Sequence, residues 1–166
     1  MLRVICTALL LFLLPAGAGC SGGGALEATH LAGKQVDGAF ILYSLDGDRY
    51  PGEPVPEGGE LLHGWLILKA CPIDDVATRR RIFRAFDDGI DDAPGGVPVD
   101  CFTPRHAISV ESNGVRMEYL ICFQCSNWYS YEDGKSVGGG GTSRSPASTF
   151  DEILSACPGK TNPDDK

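Results

Sequence analysis

The sequence predicts an α+β fold: a two-layer sandwich in which an antiparallel sheet of four to five strands carries two helices packed on one face. Three observations lead there. Period-2 alternation runs through 108–123 around an Asn-Gly turn, helical spacing of apolar residues marks 76–90, and a second short apolar helix follows near the C-terminus. With 166 residues and 43% hydrophobic content the chain has material for one compact core.

In chain order, Ala39-Phe40-Ile41-Leu42-Tyr43-Ser44-Leu45 reads as a strand closed by the turn Asp46-Gly47-Asp48. The stretch 51–59 holds three prolines and three glycines, so it is expected to be a loop. Leu61 to Ala70 reads as one strand. Asp74 or Asp75 is placed to N-cap a helix in which Val76, Ile82, Phe83, Phe86 and Ile90 face the core, and Arg79, Arg80, Arg81 and Arg84 cover the water side. Gly89 stands where a C-terminal cap is expected. Asp87, Asp88, Asp91 and Asp92 do not match the spacing of a calcium loop and read as a solvated acidic turn.

Ile108 and Val110 alternate with polar residues, Asn113-Gly114 supplies a type I′ turn, and Val115, Met117, Tyr119, Ile121 and Phe123 alternate after it. In this register Ser112 faces Val115, Ile121 faces His106 and Cys122 faces Arg105. His106 then lies on the core face and Cys122 on the other. Arg105, opposite Cys122 on the other face, is placed equally to pair with Glu118 or Glu111 or to grip an anion. Trp128-Tyr129-Ser130-Tyr131 reads as a further strand, Gly138 to Pro146 as a mobile loop, and Ser148 to Ala156 as a helix with Phe150, Ile153 and Leu154 inward.

The N-terminus has the layout of an export signal: Arg3, then the apolar run Val4–Leu14, then small residues up to Cys20. The run is too short to span a bilayer. Residues 1–19 are expected to be removed, Cys20 to be acylated and thereby anchored to the membrane, 20–37 to be the tether, 38–158 the α+β domain and 159–166 a disordered tail. Ser21 after the cysteine resembles the outer-membrane sorting class. Cleavage after Ala18, giving a soluble secreted or periplasmic chain, is the alternative. A net charge of −8 argues against nucleic acid as a partner, because most of the surface repels a polyanion.

Cys71, Cys101, Cys122, Cys125 and Cys157 remain in the domain. In an exported protein they are disulfide candidates, forming two bridges and leaving one thiol. Cys71 and Cys157, each followed by proline at the end of an element, are candidate partners. Cys101, His106, Cys122 and Cys125 form a C-x4-H…C-x2-C set, the donor types of a tetrahedral zinc site, so zinc is the alternative cofactor; otherwise none is expected. Cys122 and Cys125 alone form a C-x-x-C pair of the thiol-redox type, although it trails a strand rather than opening a helix. In a regular strand their Cα atoms would stand about 10 Å apart, beyond the roughly 7 Å that a disulfide tolerates. A bridge or metal knuckle here therefore requires the strand to end by Phe123. Without a Gly-x-Ser-x-Gly, His-Glu-x-x-His or phosphate-loop motif, no residue is assigned a catalytic role.

Cys101-Phe102-Thr103-Pro104-Arg105-His106 before the hairpin and Ile121-Cys122-Phe123-Gln124-Cys125 after it resemble the motif of an uncharacterised family of exported bacterial proteins, many of them lipoproteins. Leu42-Tyr43-Ser44-Leu45, His63-Gly64 and Ser145-Pro146…Phe150-Asp151 fit the same pattern. The resemblance implies an intact domain over residues 39–156 and no particular activity. The sequence-level expectation is a lipid-anchored envelope protein whose small non-enzymatic domain binds a protein or small molecule.

Overall fold

The computed structural model describes residues 38–95, 101–158 and 160–161; the export signal, Cys20, the tether and most of the expected tail lie outside them. The elements are β1 (Phe40–Leu45), β2 (Leu61–Leu62), β3 (Trp65–Pro72), α1 (Val76–Asp91), β4 (His106–Ser112), β5 (Val115–Cys122), β6 (Asn127–Glu132), β7 (Lys135–Gly141), α2 (Ala147–Ala156) and β8 (Lys160–Thr161). Seven strands run in the order β2-β3-β1-β4-β5-β6-β7, every neighbour antiparallel, and β8 pairs with β3.

This corrects the expected architecture. The molecule is a sheet-dominated, curled half-barrel with two short helices, not a two-layer sandwich of four to five strands. Two local features account for the extra strands. His63 and Gly64, at φ 49° and 88°, make a two-residue turn that pairs Leu62 with Trp65, splitting the single strand expected over 61–70. The glycine run 138–141, expected to be a loop, completes β7 against β6. A Cβ on Gly139 would stand 2.6 Å from the Trp128 carbonyl oxygen and 2.8 Å from the Tyr129 ring, and one on Gly140 3.2 Å from the Trp128 indole. The glycines leave room for the aromatic side chains of β6 to lie across the neighbouring strand, and the indole N–H donates to the Gly141 carbonyl at 3.0 Å.

The second correction concerns the faces. The main core lies under the helices, where Ile82, Phe83 and Phe86 of α1 and Phe150, Ile153 and Leu154 of α2 meet Phe40, Leu42, Ile108, Tyr119 and Ile121 of the sheet. The opposite face also buries apolar surface: Leu45, Leu62, Trp65, Ala107 and Leu120, with Tyr43, Phe102 and Tyr131 against them. A sheet with something to bury on both sides curls over its second cluster instead of lying open to water on that side.

Asp75 caps α1, its carboxylate accepting from the Thr78 amide at 2.7 Å. Gly89 is not the cap. It is buried inside α1, where its carbonyl accepts from Ser143 N–H and a Cβ would stand 2.5 Å from Pro146 Cγ. Asp87 is also buried, so the acidic turn is solvated only at Asp88, Asp91 and Asp92. The β4–β5 hairpin has the register read from the sequence, with His106 opposite Ile121 and Ser112 opposite Val115.

Candidate functional site

Where β4 begins and β5 ends, the chain assembles a cleft of about 320 Å³ beside α2. Pro104 cannot donate to a ladder, which is consistent with regular pairing on this strand starting only at His106. The sheet ladder brings His106 beside Ile121 with its ring on the core side, against Phe123 and Phe150 at centroid distances of 5.3 and 5.6 Å. Nε2 meets Asp151 Oδ1 of α2 at 2.8 Å. Burial holds the imidazole below the ordinary histidine range, and the carboxylate of Asp151 opposes that shift without overcoming it. In the neutral ring, Nε2–H donates to Asp151.

β5 stops at Cys122 and the next four residues turn, with Ser126 at φ 56° and its amide donating to the Phe123 carbonyl. That turn draws the Cys122 and Cys125 Cα atoms to 5.1 Å, and the two sulfurs are joined. Thr103 Oγ1 lies 3.8 and 3.6 Å from the two sulfurs, and the Cys125 amide donates to Cys122 Sγ. Cys101 is an exposed free thiol whose carbonyl accepts from Asn127 Nδ2. Cys71 and Cys157 are bonded, with Cα atoms 6.0 Å apart. Arg105 pairs with Asp48 at 2.6 Å instead of with Glu118 or Glu111.

Of the proposed zinc donors, the structure joins Cys122 to Cys125, sets His106 and Cys122 in the lining of one cleft and leaves Cys101 an exposed free thiol. Among the described residues no three or more His, Cys, Asp or Glu side chains converge as a metal site needs. The cleft instead presents Thr103, Arg105, Gln124 and the His106–Asp151 pair, a mixed set of hydrogen-bond donors and acceptors. With both hairpin sulfurs bonded, the described lining of the cleft carries no free thiol.

The sequence placed neither Asp151 beside His106 nor Glu118, expected as a partner of Arg105, beside His63. Asp151 was only one position of a motif, because nothing local ties a helix residue to a strand 45 positions away. Glu118 is buried on the second face of the sheet, where His63 Nε2 meets its carboxylate at 2.7 Å and the imidazole stacks on Tyr131 at 3.6 Å. Its signal was parity, since Glu118 lies on the side of β5 opposite Tyr119 and Ile121. No family model, curated protein or solved structure matches this chain.

Proposed function

We propose that this is an exported bacterial envelope protein, held at a membrane through acylated Cys20, whose domain is a non-enzymatic binding module taking a polar ligand or partner segment in the Thr103–His106 cleft. The observation that carries the reading is the Cys71–Cys157 bond, which ties the end of β3 to the end of α2 across 86 residues. Such bonds persist in oxidising compartments and are rare in reducing ones. The export-signal layout and the motif resemblance point the same way. The test is labelling of cells with radioactive palmitate: label should enter the wild-type chain and co-fractionate with membranes, and Cys20→Ser should abolish both. Label that persists in Cys20→Ser contradicts the anchor.

A thiol-redox module is the second reading, favoured by Cys122 lining the cleft with Cys125 bonded behind it. Equilibration with glutathione buffers separates the two. A potential below about −300 mV marks a structural bond, whereas one near about −200 mV supports exchange with partner thiols. Zinc belongs to the reduced chain in this reading, and metal analysis after reduction tests it.

A further inference from the structure

We propose a second binding site, on the outer face of α1, for a small multivalent oxyanion of the phosphate-ester or polycarboxylate kind. Arg80, Arg81 and Arg84 are all exposed and line one groove of about 470 Å³ with Ala77 and Thr149. They stand out against the chain as a whole, which carries 14 Lys and Arg against 22 Asp and Glu. The fourth arginine of the run, Arg79, turns inward, its Nε donating to the Ile73 carbonyl and its guanidinium lying over the Phe40 ring. Arg81 binds Glu152 of α2 through both terminal nitrogens, which fixes one wall of the groove. Among the described residues Arg80 and Arg84 have no hydrogen-bond or ion-pair partner.

Residues four apart on a helix stand about 5–6 Å apart at Cβ, so Arg80 and Arg84 can converge on one ligand. Ala77, one turn before, leaves space rather than filling it. Guanidinium groups match oxyanions in two-pronged geometry, and the groove is of small-molecule size. Asp88 closes the C-terminal end with a carboxylate, so the anion sits toward Arg80 and Ala77.

Charge decides against an extended polyanion. At physiological salt the screening length is about 8 Å, so a ligand contained in the groove responds mainly to the local arginines. A membrane sheet or a nucleic acid meets the acidic remainder of the molecule as well. The site lies on α1 and is independent of both Cys20 acylation and the Thr103–His106 cleft.

The test is calorimetric titration of the full mature chain, in near-physiological salt, with pyrophosphate, citrate and acetate. Saturable binding of pyrophosphate, citrate or both is expected, with the preference identifying the phosphate or carboxylate source, and acetate should not compete. Arg80→Ala/Arg84→Ala should weaken binding by at least about tenfold, and Arg80→Lys/Arg84→Lys should retain part of it because charge persists without the fork geometry. Both changes are on exposed side chains, and an unchanged melting temperature shows that the fold is intact. Unaltered affinity in the alanine variant, equal affinity for acetate, or attachment to phosphatidylglycerol vesicles with no response to either soluble anion overturns the proposal.

Discussion

His106 packs against both Phe123 and Phe150, and its burial has a consequence for stability. The unfolded chain takes up a proton on this imidazole near pH 6.5, whereas the folded domain resists it until lower pH, because burial depresses the pKa more than Asp151 raises it. In that window the unfolded state binds more protons, so stability is present above about pH 6.5 and is lost as pH falls through the folded value. Urea midpoints at about pH 7.5 and about pH 5.5 should therefore differ, and His106→Gln should flatten that part of the slope; an unchanged slope contradicts the burial account. In Asp151→Asn, proton NMR titration should find the imidazole pKa lower still, because the opposing carboxylate is gone. His106 itself was readable from hairpin register, since opposed residues in a two-residue-turn hairpin are fixed by the turn. Asp151 was not, because its contact depends on how α2 docks on the sheet.

Elements with alternating or helical apolar patterns were legible from the sequence: β4 and β5 carry a strong period and the turn that joins them, and α1 carries helical spacing and the N-cap residue Asp75 that starts it. Elements whose reason for existing lies in a neighbour were not. Four of the seven residues of β7 are glycine, and the place of that half depends on the Trp128 and Tyr129 rings of β6. Gly139→Ala should cost about 1–3 kcal/mol, since the clash is with a backbone carbonyl that cannot move aside, while Gly140→Ala, against an indole edge, should cost less. Gly89→Ala should likewise destabilise by about 1–3 kcal/mol, because its Cβ would enter Pro146 and Thr142, whereas a true C-cap glycine would have been free of such contacts. Thermal melts of these three variants check the order, and a Gly140→Ala loss as large as that of Gly139→Ala would contradict the packing described. The His63-Gly64 turn was hidden for a different reason: histidine is an uncommon first residue for a type I′ turn, and the flanking Leu and Trp run reads through it as one strand.

For the whole molecule, the second apolar cluster converts an open sheet into a curled one, and no count of strand-like segments would have revealed it because Leu45, Trp65 and Leu120 are ordinary strand residues until the sheet is closed over them. Covalent closure acts at the same scale. Replacing Cys71 and Cys157 with alanine releases a loop of 86 residues and should cost about 2–5 kcal/mol, read as a lowered urea midpoint under oxidising conditions. No loss would mean that the bond is absent from the native protein. The pairing of the cysteines bears on the proposed export and on the shape of the hairpin turn alike. The measurement that tests it most directly is intact mass of the protein purified from membranes, alkylated before and after reduction. The expected result is an acylated N-terminus at Cys20, one alkylated thiol at Cys101 before reduction, and four more after it, released from Cys71–Cys157 and Cys122–Cys125. A chain beginning at Gly19 without lipid, full alkylation before reduction, or Cys101 bridged to either hairpin cysteine would contradict it.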